Sequence, residues 1–217
     1  MLYKAFFCWK NLTFLKKRRY NSNVSYRSID WGMYIMPASC KITKEEIIKK
    51  AVVMVNKKGW DSINARDLAK ALKISTKPLY RIYQNMDEIK DDMYKEIYKQ
   101  YDEFITSRVD NKKALVTLCV AYVEFAKLYK NLFISLFLSD NLKWKSVDDV
   151  LNEKWNQGAI INLVNKQGYT FDEAKELFMH VWLYANGLAT LIATNKIDID
   201  DKEIIVRIVK IYKTLEK

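Results

Sequence analysis

Apolar residues recur at helical spacing along most of the chain from residue 43 onward, and polar residues beside them indicate where helices begin and end. The first stripe consists of Ile47, Ile48, Ala51, Val52 and Val55. Thr43 and Glu46 stand just before this stripe and are three residues apart, which is the spacing of a capping box. In a capping box each of the two side chains accepts a hydrogen bond from the other residue's backbone amide. Gly59 follows the stripe and is a typical helix terminator. The pattern predicts a helix that begins after Thr43 and ends at Gly59.

Two short helices and one long helix are predicted next. Asn64 is placed to cap a helix over 65–72, and a turn of three residues leads to a third helix. We expect that third helix to start at a Ser75 cap, with Pro78 tolerated in its first turn. Asn85 is placed to cap a long fourth helix. Its apolar stripe comprises Ile89, Met93, Ile97, Tyr101, Phe104 and Ile105.

The second half of the chain shows helical periodicity throughout. Helices are predicted near 112–129, 131–139, 146–167, 171–194 and 200–216. The helix over 112–129 is apolar on most faces, which is typical of a central helix surrounded by others. The chain has five Gly and two Pro in 217 residues, which disfavours sandwiches, barrels and doubly wound folds, because these need many turn residues. We therefore predict an all-α fold.

The net charge of +11 lies in the first half of the chain. Residues 1–40 hold seven basic and one acidic residue, and residues 41–100 hold fourteen and nine. Residues 101–217 hold sixteen of each sign. This asymmetry indicates a polyanionic partner for the N-terminal part and a different role for the rest.

The first 40 residues have nine aromatic residues and no clean helical period, so we expect a disordered basic extension. Several interpretations stay open: an arm that follows DNA, a segment upstream of a misread start, or an anchor at 2–20 that holds the protein on a membrane surface without a specific operator. We expect no signal peptide, because the basic run at 16–19 follows the apolar stretch instead of preceding it. The uncharged segment 177–195 contains many polar groups, so we expect a buried helix or dimer seam there and no membrane span.

The sequence shows no pattern of residues that is typical of a catalytic site or a metal site. The cysteines Cys8, Cys40 and Cys119 and the single histidine, His180, match neither a disulfide framework nor a zinc-ligand pattern. The chain also lacks a Gly-rich phosphate loop and a Ser/His/Asp arrangement at a nucleophile elbow. We expect a cytoplasmic protein that is not an enzyme and has no metal or cofactor.

The two short helices between Asn64 and Tyr83 have the size of a helix-turn-helix, whose second helix enters the major groove of DNA. Ala69 falls where two such helices must approach closely. The basic residues of this segment, against Asp67 as the one acid, are Arg66, Lys70, Lys73, Lys77 and Arg81. The spacing leaves open an ordinary αα-hairpin with a solvated basic face.

Residues 43–95 resemble the DNA-binding domain of TetR/AcrR-family transcriptional regulators. The matching positions are Ile47, Gly59-Trp60, the run 64–69, the run 74–76, Leu79-Tyr80, Tyr83 and the run 87–89. The sequence departs from the family pattern at Lys73, where the turn commonly has Gly, and at Met86, where a phosphate-contacting Lys is common. The resemblance implies a repressor that binds double-stranded operator DNA as a homodimer.

The same resemblance implies roles for individual side chains. The candidate DNA contacts are Asn64, Arg66, Thr76, Lys77, Pro78, Tyr80, Arg81 and Tyr83. Thr76, Lys77 and Pro78 open the third helix and would reach base edges. The hydroxyl of Tyr80 would donate to a phosphate, whereas burial is the favoured expectation for Tyr83. Asn64 and Arg66, at the start of the second helix, would contact the DNA backbone.

Residues 182–189 resemble the Trp/His-Gly segment of one TetR C-terminal subgroup, with Asn186 where that subgroup usually has His. The implied organisation is a helix-turn-helix domain over 41–90 and a helical ligand-binding and dimerisation domain over 91–217. The candidate ligand contacts are Tyr122, Phe125, Phe137, Trp155, His180 and Tyr184. Each is individually typical of a core. As a set they offer rings with polar tips and no clustered cation, so we expect an unidentified small-molecule effector that is largely apolar.

A two-fold seam of four helices is expected to join the homodimer. It would combine the helix over 177–195 with an apolar stripe near the C-terminus, and Gly187 would permit close crossing. The stripe comprises Ile204, Ile205, Ile208 and Tyr212.

Overall fold

The structure is a computed structural model that describes residues 42–142 and 144–216. Within these ranges it contains α1 (Lys44–Lys58), α2 (Ala65–Leu72), α3 (Lys77–Ile82), α4 (Met86–Thr106), α5 (Ala114–Leu128), α6 (Lys130–Phe137), α7 (Val147–Leu151), α8 (Lys154–Gln167), α9 (Phe171–Ala193) and α10 (Asp201–Leu215). A short 3-10 helix spans Trp60–Ser62, and the described residues form no strand. The all-α prediction is confirmed. The predictions for residues 1–40 lie outside the described residues.

Local capping accounts for most helix borders. The capping box of Thr43 and Glu46 is present at α1, and Asn64 and Asn85 cap α2 and α4 as predicted. The third helix begins one residue later than predicted, because Thr76 is its N-cap and the Ser75 side chain takes no part. The capping residue makes no side-chain hydrogen bond there.

The single helix predicted over 146–167 is wrong, since the structure has two helices, α7 and α8, in this range. The chain is extended at Glu153, with φ −60° and ψ 139°, which ends the helical path. The carboxylate of Glu153 accepts hydrogen bonds from Tyr98 on α4 and from Trp144. These partners lie far away in sequence or in a loop, so helical periodicity does not reveal the break.

The central helix is α5, as its apolar surface predicts. It packs against α4, α6, α8, α9 and α10, and nine of its fifteen residues are buried. A fully buried apolar side chain contributes about 1.5–3 kcal/mol, so the buried residues of α5 contribute substantially to the stability of this half of the chain.

The helix-turn-helix segment is attached to the rest by two helices. α1 packs against α4 and also against α6, where the Asn131 side-chain amide donates to the Asn56 carbonyl at 2.9 Å. α4 is continuous across the predicted border between residues 90 and 91, and the described residues belong to one compact unit. A functional division within that unit stays a prediction.

No helix in the described ranges combines the length and apolar character that crossing a membrane requires.

Candidate nucleic-acid interface

The turn between α2 and α3 is built by a left-handed residue, Lys73, with φ 58° and ψ 38°. Its amide donates to the Lys70 carbonyl at 3.1 Å, and the Ile74 amide donates to the Ala69 carbonyl at 3.0 Å. These two bonds are those of a Schellman motif, which satisfies the last carbonyls of a helix. Because Lys has a Cβ, it occupies at a cost a conformation that Gly adopts freely.

We expect Lys73→Gly to raise the free energy of unfolding by about 0.5–1 kcal/mol, through relief of the left-handed strain. Thermal unfolding followed by circular dichroism should show a midpoint higher by about 1–4 °C. The matched control is Lys70→Gly, which places Gly inside α2 and should lower stability by about 1 kcal/mol. A lower midpoint for both variants would contradict this account of the turn.

The inner face of the helix pair fixes its orientation. Leu68 and Leu79 are fully buried, and Ala69 is 3% exposed. They belong to the hydrophobic core that also contains the buried residues of α1 and α4. The two short helices are therefore held rigidly on the long ones, as a protein surface that reads DNA must be.

The outer face of α3 presents Lys77, Tyr80 and Arg81, whose spacing of three and four residues places them on one side of the helix. All three are exposed, and the ring of Tyr80 is 49% accessible although it is large and aromatic. Thr76 and Pro78 are half-buried beside them. The structure thus brings together five of the eight predicted DNA contacts at one end of the helix-turn-helix, on and beside α3.

The charges on this surface are not neutralised by the part of the chain that the structure describes. None of its basic side chains forms an ion pair with another described residue. These side chains are Arg66, Lys70, Lys73, Lys77 and Arg81. The carboxylate of Asp67 is occupied by the side-chain amide of Asn64 at 2.7 Å. Lys70 and Lys73 were not among the predicted DNA contacts, although the local charge count of the sequence includes them.

Two of the predicted DNA contacts, Asn64 and Tyr83, bond to other groups of the protein. The Asn64 side chain caps α2 by accepting from the Asp67 amide at 3.0 Å. Tyr83 is 2% exposed, and its hydroxyl donates to Asp92 at 3.3 Å. Burial and the neighbouring Asp92 carboxylate raise the pKa of Tyr83 to about 12. The expected burial of Tyr83 therefore agrees with the structure, and its hydroxyl is directed to the protein.

The start of α4 supplies no phosphate-binding cation at its first position. Met86 is half-buried and packs against the core, and the first turn carries Asp87 and Glu88. Lys90 is half-buried one turn further on. The positive surface is therefore provided by α2, the turn and α3.

The structure places the predicted ligand residues in different surroundings. Tyr122, Phe125 and Phe137 belong to a packed aromatic cluster, with the rings of Tyr122 and Phe137 5.2 Å apart. The Trp155 indole donates to Asp102 at 2.8 Å, which ties α8 to α4. His180 and Tyr184 are exposed on α9. Helical spacing does not distinguish a ring that fills the core, as Phe125 does, from one that lines a cavity, so the ligand pocket stays a prediction.

Asn186 also has a partner within the protein. The hydroxyl of Tyr122 donates to the Asn186 side-chain oxygen at 2.9 Å. Burial raises the pKa of Tyr122, so this hydroxyl stays neutral. Asn186 thus satisfies a buried core hydroxyl in this structure.

The outer face of α9 carries an apolar groove of about 540 Å³. Exposed Leu183, Tyr184, Gly187 and Leu191 form it from α9, and α10 closes it with the paired side chains of Glu203 and Arg207. We call these four α9 residues the α9 outer face. Exposed apolar groups in one contiguous patch are typical of a surface that binds another protein.

The predicted C-terminal part of the dimer seam is corrected by the structure. Ile204 and Ile208 are fully buried within their own chain, and the Tyr212 hydroxyl donates to Gln167 at 2.7 Å. Ile205 is exposed, together with Val206. Two of the four seam residues thus stabilise the monomer, since α10 uses its stripe to pack on α5 and α9.

A search of solved structures finds similarity to the crystal structure of a TetR transcriptional regulator from Rhodococcus sp. RHA1. The sequences are 13% identical, the TM-score is 0.45, and the match covers 78% of this chain and 92% of the other. No protein-family model matches the chain, and no curated protein matches its sequence. The family prediction continues to rest on the motifs within residues 43–95.

Proposed function

We propose that this chain is a cytoplasmic, sequence-specific DNA-binding regulator of the TetR/AcrR type, which represses transcription and is released by a small, largely apolar ligand. The observation that carries the proposal is the exposed side of α3, with Lys77, Tyr80 and Arg81, on a helix pair anchored by buried Leu68 and Leu79. A rigid helix with unpaired cations and an exposed aromatic fits the major groove and its phosphates.

The functional unit we propose is a homodimer joined along the α9 outer face. A two-fold axis there would carry the two α3 helices to successive major grooves, about 34–36 Å apart along the DNA. Exposed Leu183 and Leu191 would supply the apolar core of the seam, and Gly187 would allow the helices to cross closely. Operator half-sites would then be related by two-fold symmetry.

Release would act through the helices that touch the helix-turn-helix segment. α4 and α6 both pack on α1, so a ligand that repositions either helix changes the distance between the two recognition helices. Such a ligand and the DNA would lower each other's affinity by the same factor.

Selection from a random duplex library, followed by sequencing, tests the proposal. We expect enrichment of a two-fold symmetric site with half-sites about one helical turn apart. Affinity for that site should fall steeply with salt, because bound Lys and Arg displace counterions from phosphates. A library that remains unenriched after repeated rounds, with protein shown to be folded, would contradict it.

A further inference from the structure

A cavity of about 370 Å³ lies between α4, the segment that follows α6, and the start of α8. Its walls are mainly aromatic and hold one carboxylate and one ammonium group: the lining residues are Tyr94, Lys95, Tyr98, Phe137, Leu142, Trp144 and Glu153. Its volume falls within the ~300–1,000 Å³ typical of small-molecule sites. Of the six predicted ligand residues, Phe137 lines it.

Glu153 is held in this cavity by neutral donors. The Trp144 indole donates to Oε1 at 2.8 Å, and the Tyr98 hydroxyl donates to Oε2 at 3.0 Å. No Lys or Arg of the described ranges forms an ion pair with this carboxylate. A carboxylate has about four acceptor sites, so these two bonds fix its position and leave it able to accept more.

Burial and the Glu153 carboxylate raise the pKa values of two neighbouring tyrosines, Tyr94 and Tyr98. Burial raises the pKa of Tyr98, and the Glu153 carboxylate raises it further; the pKa of Tyr94 is raised by the same two causes. Both hydroxyls therefore stay neutral. The cavity holds an anionic group among rings whose faces are also electron-rich.

Among the described residues that line this cavity, Lys95 is the basic one, and it forms an ion pair with Asp92. Its Nζ lies 2.9 Å from an Asp92 carboxylate oxygen, and its side chain is 74% exposed. Lys95 is therefore paired with Asp92 and not with Glu153.

We infer that this cavity binds a small organic monocation with an apolar body, such as a quaternary ammonium compound. Aromatic faces attract a cation, and a carboxylate within the same walls adds charge complementarity that a neutral or anionic ligand does not receive. That this ligand acts as the effector rests on the proposed function. The largely apolar effector proposed above would then carry one positive charge.

The position of the cavity connects it to the DNA-binding surface. Tyr94 and Tyr98 lie on α4, which packs on α1, and Phe137 ends α6, which packs on α1 as well. A cation bound between these rings contacts both helices that hold the helix-turn-helix segment. Occupancy is therefore expected to change DNA affinity.

The test compares phenyltrimethylammonium with tert-butylbenzene, which has the same shape and no charge. Binding to the full chain is followed by the NMR signal of the Trp144 indole N–H, identified by its loss in Trp144→Phe. We expect phenyltrimethylammonium to bind at least about tenfold more tightly than tert-butylbenzene. Glu153→Gln and Tyr94→Leu should each raise its Kd about tenfold, and Glu176→Gln, an exposed glutamate of α9 outside the cavity, should leave it unchanged.

Equal affinity for the two probes, no shift of the Trp144 signal with either probe, or an unchanged Kd in both cavity variants would overturn the inference. Circular dichroism checks folding, and Tyr94→Leu keeps the test valid if Glu153→Gln does not fold, because it leaves both Glu153 hydrogen bonds in place. Cation binding by a protein that selects no DNA would refute the proposed function and keep the site. A protein that selects a specific DNA site but does not bind the cation would refute the cavity inference and leave the proposed function intact.

Discussion

Replacing Lys77 and Tyr80 together by Ala should reduce affinity for the selected DNA by at least about 100-fold while helical content is retained. Each side chain is exposed on α3 and makes no bond that holds the fold. A lost base or phosphate contact costs about 1–3 kcal/mol, and a dimer loses each contact twice. Fluorescence anisotropy with a labelled duplex measures the change directly.

Two controls separate this effect from loss of charge or of folding. Lys202→Ala removes an exposed lysine of α10, far along the chain from α3, and should leave affinity within about twofold. Tyr83→Phe removes the hydroxyl bonded to Asp92, and DNA affinity should also persist because that hydroxyl faces the protein. If the Lys77/Tyr80 double variant binds as well as the unchanged protein, α3 is not the recognition helix.

Gly187→Arg should convert the protein to a monomer and raise the dimer dissociation constant at least about 100-fold. A Cβ at Gly187 meets nothing within 4 Å in the monomer, so the substitution is tolerated by the chain itself. At a close helix crossing, the long charged side chain would separate the two α9 helices and bury a charge. Sedimentation equilibrium across micromolar concentrations measures the change.

Gly158→Arg is the matched control for that experiment. Gly158 is also an exposed glycine inside a helix, α8, with nothing within 4 Å of an added Cβ. Both substitutions improve helix propensity by about 0.8–1 kcal/mol, so neither should unfold the monomer. A Gly187→Arg protein that stays dimeric would place the two-fold seam on another surface.

The helices from α1 to α4 could be predicted closely because their signals are local. Thr43, Asn64 and Asn85 cap their helices through bonds to residues three positions later, a range that sequence spacing reveals. The left-handed turn at Lys73 follows from the two-helix geometry that surrounds it. Burial of Tyr83 follows from its position opposite the exposed side of α3.

The helices after α4 were predicted less well because their contacts join distant residues. Glu153 interrupts a helix through bonds to Tyr98 and Trp144, 55 and 9 residues away. Whether a ring fills the core, as Phe125 does, or lines a cavity, as Tyr94 does, depends on how several helices meet. Helical spacing assigns a side chain to the inner face and carries no information on what occupies the space beyond it.

The central claim, sequence-specific DNA binding through α3, is tested most directly by the ratio of two affinities. Anisotropy titrations at physiological salt would compare the selected duplex with a scrambled duplex of equal length and composition. Because specific sites are bound about 10³–10⁷ times more tightly than random DNA, we predict a ratio of at least about 10³. A ratio near one would show that the basic surface binds DNA only through its charge and would contradict the account.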